Sequence, residues 1–185
     1  MFAVGLVVEG IYDEAALTEL IRKCHLSDVE VICRPCGSAN QLMKKFPGFL
    51  ESFRHGKEGG PVDKAIVVRD ADHKDVNALI ARMESRVGGR IYPFSRHLLA
   101  VVQELETWLL ADEGALALVT GRPQRGLPSP ESLHNPKVRL ERILSDVNIV
   151  YTAEIARKIA AAASVDVLAN RCPSFRRFQK AVVNA

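Results

Sequence analysis

The sequence predicts an α/β fold: a mainly parallel sheet flanked by helices, followed by a helical C-terminal extension. Three observations carry this. Short apolar runs alternate with helix-period segments over the first two-thirds of the chain. A Pro-rich break follows, from Thr120 to Pro136. Beyond it only helix-period patterns appear. Strands alternating with helices of about 10–15 residues imply right-handed crossovers and parallel pairing.

The elements follow in order. Phe2–Val8 reads as a buried strand that ends at Glu9. Asp13–Cys24 is helical, with Ala16, Leu17, Leu20 and Ile21 on one face. Val29–Cys33 is a second strand. Ser38 caps a helix through Leu42, Met43 and Phe46, interrupted at Pro47. The Gly and Pro content of Arg54–Asp63 marks a loop. Ala65–Val68 is a third strand, and Asp75–Val87 a helix stopped by Gly88-Gly89. Leu98–Val102 is a fourth strand, with one helix from Leu105 to Leu118. After the Pro-rich segment, helices are expected at Lys137–Leu144, Thr152–Ala163 and Phe175–Val183. The expected organisation is an α/β core over residues 1–119, with a Pro-rich loop and helical extension over 120–185 packed on it.

Composition narrows the function classes. The chain has 185 residues, 48% hydrophobic and 25% charged, enough to bury a core. Its longest apolar stretch, Phe2–Val8, falls far short of the ~20 residues of a membrane-spanning helix. Nothing reads as a secretory signal, and 4 cysteines at this length are no disulfide scaffold, so a cytoplasmic location is expected. Through Val119 the chain carries 14 Lys/Arg against 17 Asp/Glu; from Thr120 onward it carries 11 against 5. An acidic first part and a basic last third suit a protein that gathers carboxylates at one site and meets a polyanion elsewhere.

The acids fall at telling places. Open parallel sheets bind ligands beyond the carboxyl ends of their strands. The first strand runs into Glu9-Gly10, the third into Asp70-Ala71-Asp72, and the fourth into Glu104-Leu105-Glu106. Parallel strands would bring these carboxylates to one edge, where like charges repel and a hard divalent cation relieves them. The constellation therefore reads as a Mg²⁺ or Mn²⁺ site for phosphoryl chemistry. Gly10 lets the chain turn into the next helix, while Asp13 and Glu14 also suit the helix dipole.

These segments resemble a known family. VGLVVEGIYDEAAL, with Glu9, Gly10 and Asp13, and AIVVRDADHKD, with Asp70 and Asp72, look like the Toprim domain. That domain is shared by type IA and type II topoisomerases, bacterial primases, small RNA-maturation nucleases and overcoming-lysogenisation-defect (OLD) nucleases. ELETWLLAD, with Glu106, Trp108 and Asp112, is similar to small stand-alone Toprim-like bacterial proteins. Pro136-Lys137 and the final SFRRF stretch match them more loosely. The resemblance implies Glu9 as general acid/base or metal ligand and Asp70 and Asp72 as metal ligands. By analogy with the OLD pattern, Asp13 would hold a second metal. Glu106 is the fourth-strand ligand ahead of Glu104.

The implied activity is Mg²⁺/Mn²⁺-dependent hydrolysis of DNA or RNA phosphodiesters, in phage defence or RNA processing, beside an ATPase partner. The alternative is a non-catalytic nucleic-acid-binding or regulatory subunit of an ATPase complex. A homo-oligomer is left open and no membrane is implied. A topoisomerase would need a nucleophilic tyrosine on a further domain, and a primase further zinc-binding and helical domains.

Other features weigh less. Lys137 is a candidate charge stabiliser of the catalytic site, and Arg176 and Arg177 are candidate nucleic-acid contacts beside Phe175 and Phe178, which are expected to pack. Trp108 is expected in the core. Cys33-Arg34-Pro35-Cys36 occupies a thioredoxin-like place, but the chain does not otherwise follow that pattern. No P-loop or GxGxxG occurs.

Overall fold

The computed structural model describes residues 1–25, 28–58 and 60–184. Four strands, β1 (Phe2–Val8), β2 (Val29–Pro35), β3 (Lys64–Asp70) and β4 (Ser95–Val101), form one sheet in the order β2-β1-β3-β4. Every pairing is parallel, with Leu6 opposite Cys33 and Ile66, and Val67 opposite Leu98. The α/β class with a parallel sheet flanked by helices is the architecture observed.

Alternation along the central strands feeds two cores, one on each face. Val4, Leu6 and Val8 of β1 join Ile66 and Val68 of β3 in the larger core. Ala3, Val7, Ala65 and Val67 point to the other face. There they meet α2 (Ala39–Ser52) and α3 (Val76–Val87), through Leu42, Phe46, Leu50, Leu79 and Met83.

The larger core is built jointly by the two parts of the chain. Leu17, Leu20 and Ile21 of α1 (Ile11–Cys24) are buried with Ile159 and Ala160 of α7 (Ala153–Ala162). Trp108 lies in α4 (Glu106–Leu109), its ring 5.1 Å from Phe175 and 5.3 Å from Phe178 of α9 (Pro173–Val183). Its indole N–H donates to Ser174 Oγ at 2.8 Å. Trp108, Phe175 and Phe178 are thus core residues.

Element boundaries differ from the sequence reading: β4, for one, is Ser95–Val101 where Leu98–Val102 was expected, and helices differ too. α2 runs through Pro47 to Ser52, because buried Phe46 and Leu50 on either side anchor it across the missing N–H. The expected 105–118 helix is two: α4, then α5 (Glu113–Thr120). Asp112 restarts the chain as a cap, its Oδ1 accepting from the N–H groups of Gly114 and Ala115. α1 begins two residues early, since Asp13 Oδ2 accepts from the Gly10 N–H at 2.8 Å and closes the first turn. A short helix, α8 (Val165–Arg171), fills the gap before α9. The last third also holds α6 (Pro136–Ser145). The predicted 54–63 loop includes Gly59, which lies outside the described residues; Phe53–His55 within its approach forms a 3₁₀ turn. Among the described residues no helix is long and apolar enough to cross a membrane.

Candidate functional site

At the carboxyl edge of the sheet, β1 hands on to Glu9, β3 ends at Asp70, and the chain after β4 turns through Glu104 to Glu106 in α4. Pairing between β3 and β4 continues past the strand ends. Ala71 N–H donates to the Val101 carbonyl and Asp72 N–H to the Gln103 carbonyl, each at 3.0 Å. On the other side, Gly37 N–H donates to the Glu9 carbonyl at 2.7 Å. These links draw the strand exits into one open cleft of about 250 Å³. Glu9, Asp13, Asp70, Asp72, Glu104, Glu106 and Lys137 all line it, with Gly10, Tyr12, Gly37 and Ser38.

The backbone here is unusual. Asp72, His73 and Gln103 have φ of 47°, 66° and 65°, and Asn135, two residues before Lys137, has 52°. Non-glycine residues rarely adopt this left-handed region, and such conformations concentrate where side chains must be aimed at a site.

Four of the carboxylates are each held by a donor. Glu9 Oε1 accepts from the Asp70 N–H at 3.2 Å and lies 3.6 Å from Arg69 Nε. Asp13 has the Gly10 N–H already described. Glu106 Oε1 accepts the Tyr151 hydroxyl at 3.1 Å, and Glu104 Oε2 accepts the Lys137 N–H at 3.0 Å. Asp72 is exposed at the rim and sits 3.6 Å from Lys74 Nζ. Lys137 Nζ stands over the Tyr12 ring at 5.1 Å, and that ring meets Tyr151 at 5.0 Å.

The electrostatic consequence is a set of carboxyls that resist ionisation. Burial, then the charges of Asp13, Glu9, Glu106 and Asp72, hold Asp70 well above the usual carboxylate range. Burial raises Asp13 to about 6 against the opposing Gly10 N–H, and raises Glu106 to about 7 against the opposing Tyr151 hydroxyl. Burial also raises Glu9.

Arg176 and Arg177 do not join this cleft. Both are exposed on α9, and Arg176 Nε donates to the Ala169 carbonyl at 2.9 Å. Three contributors escape the sequence reading. Tyr151 lies 45 residues from Glu106 along the chain, and no local pattern connects them. Tyr12 supplies the ring under Lys137. Arg69 did leave a signal, as the one charge inside the apolar run AIVVRD. It is buried, with Nε and Nη1 lacking hydrogen-bond partners among the described residues.

A family model described as a domain of unknown function (DUF4276) matches residues 8–182. The chain belongs to this family. The matched segment of the DUF4276 domain takes in every residue of the cleft and the helices on both faces of the sheet. No curated protein and no solved structure matches the chain.

The carboxylates that crowd the DUF4276 cleft carry the oxygen donors that a hard divalent cation takes. Among the described residues, no group of three or more His, Cys, Asp or Glu is already arranged to hold a metal ion. Glu9, Asp13, Glu104 and Glu106 each have one oxygen taken by a protein donor. Every one of these carboxylates keeps a second oxygen.

Proposed function

We propose that this DUF4276 chain is a Mg²⁺- or Mn²⁺-dependent nuclease that hydrolyses phosphodiester bonds of DNA or RNA. The observation that carries the reading is the meeting of acids from three strand exits with Lys137 in one open cleft. Asp70, Asp72 and Glu106 are the residues that would hold an ion, with Asp13 as the ligand of a second. A bound hard divalent ion supplies polarisation of a phosphodiester oxygen and an acidified water. Glu9, raised by burial, exchanges a proton with the attacking or leaving oxygen. Arg69 keeps the Glu9 carboxylate oriented from within the sheet. Lys137, backed by the Tyr12 ring, offsets charge developing on the phosphate. On the Toprim resemblance, the setting is phage defence or RNA processing in the cytoplasm, beside an ATPase partner.

The second reading is a non-catalytic nucleic-acid-binding or regulatory subunit. It is favoured by the donors that already occupy one oxygen of Glu9, Asp13, Glu104 and Glu106.

One experiment separates the two. Labelled DNA and RNA oligonucleotides are incubated with Mn²⁺, Mg²⁺ or EDTA, beside the Asp70→Ala/Asp72→Ala protein. Cutting that needs the metal and vanishes in the double variant supports the nuclease. Binding without cutting supports the subunit. Absence of metal binding removes the central claim.

A further inference from the structure

A second cavity, of about 260 Å³, opens between α6 and the Pro-rich segment that follows α5. Arg122 and Arg125 come from that segment, and Arg139 comes from the first turn of α6. Among the described residues, none of the three guanidinium groups pairs with a carboxylate. Arg122 Nη1 donates to the backbone carbonyl of Asp146 at 3.2 Å. Asp146 is the one acidic side chain among the lining residues. The rest of the lining includes Leu127 and Ile143, apolar groups that strengthen the field of uncompensated charge above them.

The cavity shares its walls with the acid cleft. α4 contributes Glu106 to the cleft, and Leu110, the residue that caps its C-terminus, lines the cavity. α6 contributes Lys137 to the cleft and Arg139 to the cavity. Lys137 and Arg139 stand two residues apart, so the cleft and the cavity flank the first turn of α6 from different sides.

We propose that this cavity binds backbone phosphates of a nucleic acid and carries the strand into the acid cleft, an inference that rests on the nuclease reading for the strand's destination. Arg forks match phosphate oxygens in pairs, and three of them without carboxylate partners fit a polyanion. The phosphate chemistry is common to DNA and RNA. Arg176 and Arg177, on α9, line neither the cavity nor the cleft.

The test is binding of labelled single-stranded DNA and RNA of equal length, followed by anisotropy in EDTA across a salt series, so that cutting plays no part. In Arg125→Ala/Arg139→Ala the Kd rises about tenfold, and the slope of log K against log salt falls by about 1.4, or about 0.7 per lost contact. Arg82→Ala/Arg86→Ala, an exposed pair on α3, changes neither quantity. In the unmutated protein, bound oligonucleotide protects Arg125 and Arg139 from phenylglyoxal, a readout that needs no variant to fold. An unchanged Kd and slope, an equal loss in the α3 pair, or no protection overturns the inference.

The nuclease reading stands or falls separately. Arginine-dependent binding without any metal-dependent cutting keeps the cavity and removes the nuclease. Cutting that is indifferent to the arginine pair does the reverse.

Discussion

The backbone N–H of Asp70 donates to Glu9 Oε1 at 3.2 Å, so the acid beyond β1 is tied to the acid that ends β3. Neighbouring parallel strands thus deliver two carboxylates side by side, and the bond stabilises the ionised form of Glu9 while its burial opposes it. Asp70 carries the larger strain, because Asp13, Glu9, Glu106 and Asp72 all add to the cost of its charge. The crowded carboxyls of the cleft are an electrostatic liability.

That liability predicts a pH-dependent stability. The folded-state values of about 6 for Asp13 and about 7 for Glu106 lie above their ordinary values of 3.8 and 4.5. Between those limits the folded chain holds more protons than the unfolded one, so its stability falls as pH rises through that window. In EDTA, Tm is expected to drop between about pH 4 and about pH 7, each displaced pKa unit counting for about 1.4 kcal/mol. Mn²⁺ restores Tm by an amount that grows with pH. Scanning calorimetry with and without metal checks both. Asp70→Asn should raise Tm in EDTA by several degrees and cancel most of the Mn²⁺ response.

Tyr151→Phe removes only the hydroxyl that Glu106 accepts. Loss of a bond to a buried carboxylate costs roughly 1–3 kcal/mol, so the variant should melt at lower temperature. The Glu106 pKa rises further, because the hydroxyl was opposing its elevation. If Glu106 must be ionised for cutting, the acid limb of the pH–rate profile moves to higher pH. A profile identical to that of the parent protein would count against Glu106 as a ligand.

A close approach between β1 and the turn after α2 sets a stability prediction of its own. A Cβ on Gly5 would come within 2.6 Å of the buried Phe53 ring. Gly5→Ala should therefore destabilise by about 1–3 kcal/mol, measured by urea denaturation. The paired change Gly5→Ala/Phe53→Leu should recover part of that loss.

The cysteines give the last prediction. All four are free, and burial pushes the Cys36 thiol up to about 11 and raises Cys33 as well. Thiolate at neutral pH is therefore scarce at either sulfur, and iodoacetamide should label the folded protein slowly. Cys33→Ser/Cys36→Ser should leave metal-dependent activity within about twofold of the parent. A large loss would return thiol chemistry to consideration.

Much of the fold was written in local pattern. Apolar runs such as FAVGLVV and KAIVVRD have no alternative to burial on both faces, so parallel strands followed. Glu9, Asp70 and Glu106 could be picked out because strand exits in such a sheet share one edge. Element ends were less legible, since Asp112 as a cap and Pro47 within a helix depend on which partners arrive from elsewhere.

By itself, the sequence determined the strand and helix alternation, the parallel class and the edge on which the acids collect, because these follow from side-chain period and chain chirality. Only the tertiary structure decided what surrounds those acids. Tyr151 beside Glu106, Lys137 over Tyr12, Arg69 beneath Glu9 and the three arginines of the second cavity are long-range or packing-dependent meetings. The reason is physical: periodicity reports which face of an element is buried. Which residue waits there is settled by how the last third packs on α1 and α4.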